Sequence, residues 1–134
     1  MNELDSVLRT MTFEFFGTGK HKIEVEELFK TDGAIILDVR ALPEVESVQF
    51  RLEHHIKVLH IPTHEIPDRY NEIPQDKMVG IFCSHGTRAA IVYAYLQSRG
   101  YENVRIILGG YDTVTSQLVP GKLLKQIRSG QTGA

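Results

Sequence analysis

Three short runs constrain the fold of this 134-residue chain most strongly: residues 34–37 and 79–82 are apolar throughout, and residues 104–108 are apolar except for Arg105. A run that is apolar at every position is typical of a strand buried on both faces, as in a parallel sheet. Residues 24–30 and 88–98 show the apolar spacing of amphipathic helices, and Gly100 ends the second of them. Strands that alternate with helices predict a parallel α/β sheet covered on both faces.

Weaker patterns predict the remaining elements. These are a helix over residues 3–16, a turn over 17–20, a short helix from Pro43, a short strand at 58–59, a helix from a capping Thr63 to Tyr70, and a helix over 121–128. The cluster Met11, Phe13, Phe15 and Phe16 is apolar, so it packs either on the core of this chain or on a partner. If the chain forms a homodimer, we expect its surface to consist of Phe13, Phe15 and Phe16.

Composition limits the class of protein. Hydrophobic residues make up 42% and charged residues 24%, which is ordinary for one soluble globular domain. The formal net charge of −2 argues weakly against nucleic acid as a partner. No stretch reaches the roughly 20 apolar residues of a membrane helix, and the first residues lack a signal-peptide pattern. The single cysteine allows no internal disulfide, so we expect a cytoplasmic protein.

That cysteine, Cys83, follows the second apolar run and opens a polar loop, residues 83–88, which we call the cysteine loop. The loop leads into the helix predicted over 88–98. A strand, a tight loop and a helix N-terminus form a site for negative charge, because backbone amides and the helix dipole point toward it. Cysteines in such places have pKa values of about 3.5–7.5, against about 8.5 when free. We therefore expect Cys83 to lose its proton readily and to act as a nucleophile.

Other interpretations of the same residues remain open at this stage. A lone cysteine is often an inert buried side chain, although the small and polar residues after Cys83 would not form a core. His85 is a candidate general base, but we prefer a place at the rim of the loop because one residue separates it from Cys83. Arg88 binds either a substrate oxyanion or a nearby carboxylate. Asp38 and Arg40 are expected to brace the edge of the sheet.

Four segments of the chain, in order, resemble the rhodanese-like domain. They are Asp38-Val39-Arg40 after an apolar run, His55-Ile56 followed by Ile61-Pro62, the cysteine loop followed by Ala89-Ala90, and Gly100-Tyr101-Glu102-Asn103-Val104 followed by Gly109-Gly110. The resemblance covers most of residues 20–128. Some positions depart from the family: His54 stands in place of a glycine, Lys57-Val58 in place of Gly-Ala, and no tryptophan follows Gly110. The departures lie outside the cysteine loop.

The resemblance implies a rhodanese-like α/β fold, with a central, mainly parallel five-stranded sheet and helices on both faces. It implies an N-terminal extension over 1–19 and the domain proper over 20–134. It also implies a sulfurtransferase that carries sulfur as a persulfide on the catalytic residue Cys83. Substrate would contact the rest of the loop, namely Ser84, His85, Gly86, Thr87 and Arg88. The partners implied are a small sulfur donor such as thiosulfate and an acceptor that is cyanide, a thiol or a protein.

Two other functions compete with sulfur transfer. Phosphatases and arsenate reductases of the related fold use a loop with five residues between cysteine and arginine, whereas four separate Cys83 from Arg88. The tighter loop favours a sulfur atom over phosphate. The second rival is a non-catalytic interaction module on the same fold, against which the intact polar loop argues.

We expect neither cofactor nor metal. Four histidines, at positions 54, 55, 60 and 64, lie close together in the sequence. No cysteine or carboxylate completes a recognisable ligand spacing with them.

Overall fold

A computed structural model describes residues 3–52 and 54–132 of the chain. Five strands form one sheet: β1 (Lys22–Ile23), β2 (Ile35–Asp38), β3 (Lys57–His60), β4 (Val79–Phe82) and β5 (Val104–Ile107). Their spatial order is β1-β5-β4-β2-β3, and every neighbouring pair is parallel. The predicted α/β fold with a parallel five-stranded sheet is confirmed.

Eight helices surround the sheet within the described residues. They are α1 (Glu3–Thr10), α2 (Phe13–Thr18), α3 (Val25–Phe29), α4 (Leu42–Ser47), α5 (Ile66–Arg69), α6 (Thr87–Ser98), α7 (Tyr111–Thr115) and α8 (Pro120–Thr132). Three short 3₁₀ turns, at Thr63–Glu65, Tyr70–Glu72 and Ser116–Leu118, adjoin them.

The sheet divides the buried side chains into two clusters. All residues of β2 and β4 are buried, as their continuous apolar runs predict. Successive side chains of a strand point to opposite faces, so Leu37 and Ile81 belong to one cluster whereas Ile36 and Phe82 belong to the other. Helix α6 packs on the first cluster through Ala89, Val92, Tyr93 and Leu96. Ala90, which the apolar pattern also assigned to this buried face, is exposed instead.

The prediction of one helix over residues 3–16 was wrong, because α1 ends at Thr10 and α2 begins at Phe13. The Thr12 hydroxyl accepts a hydrogen bond from the Phe15 backbone amide (3.3 Å) and so caps a new helix. Met11 and Phe15 pack against the first core cluster, whereas Phe13 is 95% exposed. The apolar cluster is therefore divided between the core and the surface.

Two further predictions differ from the structure: the turn over 17–20 and the single helix from Thr63 to Tyr70. Helix α2 extends to Thr18, and only then does Gly19, at φ +65°, end it. The 63–72 segment forms a 3₁₀ turn, then α5, then a second 3₁₀ turn. Thr63 does not cap a helix, since its hydroxyl donates to the Val39 carbonyl (2.9 Å).

Three strands end together at one edge of the sheet. The last residue of β2, Asp38, is in register with Phe82, which immediately precedes Cys83. Gly109 and Gly110 follow β5 at the same edge. Ligands of parallel α/β sheets bind beyond the carboxyl ends of the strands, so this edge is where a site is expected. Among the described residues, no helix combines the length and apolarity that a membrane span requires.

Candidate active site

The sulfur of Cys83 is held by backbone amides of its own loop. The Sγ atom accepts a hydrogen bond from the Gly86 N–H (N···S 2.9 Å) and a longer one from the Ala89 N–H (3.4 Å). The first is possible because Gly86 has φ +88°, a left-handed conformation that favours glycine. Ala89 lies in the first turn of α6, whose unpaired amides carry partial positive charge. The geometry therefore provides donors for a negatively charged sulfur.

Cys83 lies beneath its loop rather than on the surface. Its side chain is 3% exposed and contacts the first core cluster, whereas His85 and Thr87 are exposed above it. The small and polar residues after Cys83 argued against a core position, but the cysteine itself belongs to the core cluster. Because so little of the sulfur is uncovered, a reacting partner must present a small terminal atom or displace part of the loop. His85 occupies the rim of the loop, as the sequence predicted.

Arg88 is engaged by a carboxylate. Both of its terminal nitrogens contact Glu44 in α4, with Nη2 2.9 Å from Oε2, and Nη2 also donates to the Ser84 hydroxyl (2.9 Å). Hydrogen bonding with Arg88 lowers the pKa of Glu44 to about 2, and the same contact raises the pKa of Arg88. Of the two roles considered for Arg88, the structure contains the ion pair. This pair ties the cysteine loop to α4.

Asp38 and Arg40 form a buried brace at the same edge. Arg40 is 1% exposed; its Nη2 donates to Asp38 Oδ2 (2.8 Å) and its Nε to Oδ1 (3.0 Å). Its Cζ lies 5.3–5.6 Å from the ring centres of Phe50, Phe82 and Tyr111. Burial opposes the charge on Arg40, but the hydrogen bonds with Asp38 outweigh it and raise the Arg40 pKa. The prediction that these two residues brace the sheet edge agrees with this geometry.

The brace also reaches the segment after β5. Arg40 Nη1 donates to the Tyr111 hydroxyl (3.2 Å), and Tyr111 follows Gly110 directly. A Cβ atom on Gly110 would collide with the backbone carbonyl oxygen of Ser84 in the cysteine loop. Because Gly110 has no side chain, the loop after β5 can pack against the cysteine loop. Arg40 holds the next residue, Tyr111, in place through its hydrogen bond.

Sequence reasoning missed three residues around the loop: Glu44, Tyr111 as a partner of Arg40, and His21. In the sequence, Glu44 is one of many carboxylates, and nothing there identifies it as the partner of Arg88. His21 is 6% exposed and stacks on Phe15, with 4.5 Å between ring centres. Burial and nearby Lys22 lower the pKa of His21.

The histidines considered for a metal lie in separate surroundings. His60 Nε2 is 2.8 Å from the Arg40 carbonyl oxygen, and the His55 ring packs on Phe29 with 4.8 Å between centres. His64 Nε2 is 3.7 Å from Glu65 Oε2 at the surface. In residues 3–52 and 54–132, no three histidine, cysteine or carboxylate side chains cluster as metal ligands would.

Comparison with known proteins gives the family of the chain. The model of the Rhodanese-like domain matches residues 22–117. A sulfurtransferase of Allochromatium vinosum is 33% identical over 85 residues, which cover 63% of this chain and 75% of that protein. A tRNA sulfurtransferase of Psychromonas ingrahamii is 28% identical over 88 residues, or 65% of this chain.

The chain corresponds to only part of some relatives. It spans 18% of the Psychromonas tRNA sulfurtransferase. It also resembles one segment of a solved NAD-dependent persulfide reductase from A. fulgidus, with a TM-score of 0.56 and 32% identity; the match covers 73% of this chain and 16% of that one. The family model covers all five strands of the described sheet and the whole cysteine loop. This chain therefore belongs to the rhodanese-like domain family of sulfurtransferases.

Proposed function

We propose that this protein transfers sulfur through a persulfide on Cys83, taking it from a small donor and passing it to a thiol acceptor. The observation that carries the proposal is the pair of amide hydrogen bonds to Cys83 Sγ, from Gly86 (2.9 Å) and Ala89 (3.4 Å). Preorganised amides stabilise a negative sulfur without the reorganisation that water would need.

The reaction has two displacement steps. In the first, the Cys83 thiolate attacks the outer sulfur of the donor, the donor's sulfur–sulfur bond breaks, and the donor leaves with that electron pair. In the second, an acceptor nucleophile attacks the terminal sulfur of the persulfide, and Cys83 leaves as a thiolate. Covalent catalysis of this kind divides one difficult transfer into two easier ones. Cyanide is a convenient acceptor for assays.

The state of Arg88 bears on the choice of donor. Arg88 is the sole arginine or lysine of the cysteine loop, and its charge is already matched by Glu44. A free arginine would strengthen the binding of the sulfonate end of thiosulfate, whereas a persulfide donor has no sulfonate group to bind. The pairing therefore favours a persulfide as the main donor and thiosulfate as a poorer one. The name of the A. fulgidus relative, a persulfide reductase, supports this choice.

The burial of Cys83 also favours a persulfide as the donor. Cys83 is 3% exposed, so a single terminal sulfur atom can reach its Sγ more easily than a bulky tetrahedral group can. Ser84 and Thr87 would supply hydroxyl groups on the loop, and His85, which is exposed, would contact the donor or the acceptor. Hydrolysis of phosphate esters and a purely non-catalytic role are the alternatives to exclude.

The test compares three assays on purified wild-type protein and the Cys83→Ser variant. They measure sulfur transfer from glutathione persulfide to cyanide, sulfur transfer from thiosulfate to cyanide, and hydrolysis of p-nitrophenyl phosphate. We expect transfer from both donors, faster from the persulfide, and no activity in Cys83→Ser. Phosphate-ester hydrolysis that Cys83→Ser abolishes would assign the protein to the phosphatase chemistry. Absence of all three activities would favour an interaction module.

A further inference from the structure

A cavity of about 850 Å³ opens beside the cysteine loop, on the face of the sheet that carries α6. Ser84, His85, Gly86 and Thr87 line one part of it. Phe16 and Ile91, from α2 and α6, line other parts. We call it the aromatic cavity. Its volume lies within the range of sites that bind small molecules, roughly 300–1,000 Å³.

The lining of the aromatic cavity is mostly apolar. Among its lining residues in the described part of the chain there is no aspartate or glutamate, and Lys22 is the sole lysine or arginine. Phe16 and Ile91 remain 57% and 59% exposed, so these two side chains keep apolar surface that a ligand can cover. Such a lining favours a ligand with an apolar body and disfavours a cationic one.

Part of the cavity wall lies outside the segment that matches the family. That match begins at residue 22, whereas Met11, Phe15, Phe16 and His21 all line the cavity. The wall is ordered by specific contacts: Phe15 stacks on His21, and the Phe16 ring packs edge-on against Phe15 at 5.1 Å. His21 Nδ1 is buried and has no hydrogen-bond partner among the described residues. The cavity wall therefore contains one ring nitrogen that makes no hydrogen bond with these residues.

We propose that the aromatic cavity binds the sulfur acceptor, and that this acceptor is a small organic thiol with an apolar body at least as large as one aromatic ring. The inference rests on the proposed function, since the loop that lines the cavity is the one that would carry the persulfide. In the transfer step, the acceptor thiolate attacks the terminal sulfur of the Cys83 persulfide. A new sulfur–sulfur bond forms on the acceptor, the bond to Cys83 Sγ breaks, and Cys83 leaves as a thiolate. The proton on the transferred sulfur stays there.

The experiment separates loading from discharge. Cys83 is first converted to the persulfide with glutathione persulfide, the excess donor is removed, and the loaded fraction is measured by intact mass. The loaded protein is then mixed with 2-phenylethanethiol or with 2-mercaptoethanol, and loss of the added sulfur is followed over time. Rates are compared per thiolate, so that the acidity of the two probes does not decide the result. We expect the aromatic thiol to react at least about tenfold faster.

Two variants of α2 show whether the preference arises in the cavity. Phe16→Ala removes a ring from the wall and should reduce the preference for 2-phenylethanethiol over 2-mercaptoethanol about tenfold. Phe13→Ala is the matched control, because Phe13 lies in the same helix, is 95% exposed and does not line the cavity. It should keep the wild-type preference.

The outcomes are distinguishable. If Cys83 takes up no sulfur, the proposed function fails before any acceptor is added. If Cys83 loads and both thiols discharge it at equal rates, or if Phe16→Ala keeps the full preference, the inference about the cavity is overturned and the proposed function stands. An equal loss of preference in Phe13→Ala would also overturn it, because the effect would then not come from the cavity wall.

Discussion

Glu44 and Arg88 form a two-point ion pair across 44 positions of the sequence, with Arg88 Nη2 2.9 Å from Glu44 Oε2. The contact joins α4 to the first turn of α6, and Arg88 also holds the Ser84 hydroxyl. The pair therefore fixes the cysteine loop and neutralises its arginine at the same time. Both consequences can be measured.

The first prediction concerns donor choice. Glu44→Gln removes the negative charge and leaves Arg88 free to attract a sulfonate. We expect the rate with thiosulfate to rise about three- to tenfold relative to the rate with glutathione persulfide. Steady-state assays with both donors measure the ratio. Glu46→Gln, an exposed position of the same helix, is the control and should leave the ratio unchanged. A ratio that does not move in Glu44→Gln would show that the pair does not limit the use of thiosulfate.

The second prediction concerns pH. The pKa of Glu44 falls from its ordinary 4.5 to about 2 in the folded protein. A group whose folded pKa is depressed stabilises the fold above its unfolded pKa, and this stabilisation is lost as the pH falls through the folded pKa. Both partners are about one-third exposed, so the contribution should be about 0.5–1 kcal/mol.

Urea unfolding of the wild type and Glu44→Gln over a pH series measures this contribution. The difference in unfolding free energy should be constant above about pH 5 and should decline toward about pH 2. A difference that grows on acidification would have the wrong sign for a stabilising Glu44–Arg88 pair.

The third prediction concerns the buried brace. Arg40→Met leaves Asp38, itself 4% exposed, without its cationic partner, and breaking a buried ion pair in this way costs about 3–5 kcal/mol. Lys30→Met breaks a surface pair with Glu26, at 3.5 Å, and should cost less than about 0.5 kcal/mol. Urea unfolding compares them. If both variants lose the same small amount, Arg40 does not brace the sheet edge.

The fourth prediction concerns the glycine of the cysteine loop. Gly86 and Gly100 have nearly equal left-handed φ values, +88° and +89°, and a Cβ atom would meet nothing within 4 Å at either position. Alanine should therefore destabilise both positions alike, by about 1–2 kcal/mol. Only Gly86→Ala should also slow sulfur transfer, at least about tenfold, since the Gly86 amide contacts Cys83 Sγ. Equal activity in the two variants, measured at a temperature where both are folded, would mean that this amide does not assist the reaction.

Much of the fold could be predicted because its main strands are buried on both faces. β2 and β4 carry a continuous apolar run, so their positions and their place in a parallel sheet could be predicted from the sequence, whereas the order of the strands could not. β1 consists of two residues at the edge of the sheet and is too short to show a pattern. The break between α1 and α2 depends on one capping hydroxyl, that of Thr12, which an apolar periodicity does not reveal.

The candidate site could be predicted only where its residues are neighbours in the chain. Cys83, Gly86 and Arg88 lie in one loop, and a strand before it and a helix after it indicate their setting. The partners of the loop come from distant segments: Glu44 from α4 and Gly110 from the end of β5. Several carboxylates were available to Arg88, and only the fold decides which one reaches it. The covered position of Cys83 likewise follows from packing rather than from the polarity of its neighbours.

Persulfide formation on Cys83 is tested by the mass of the protein after treatment with glutathione persulfide, followed by mapping of the modified peptide. We expect a gain of about 32 Da, one sulfur atom, on the peptide that contains Cys83. The gain should be reversed by cyanide and should be absent from Cys83→Ser. A folded wild-type protein that gains no sulfur from glutathione persulfide or thiosulfate would contradict the account.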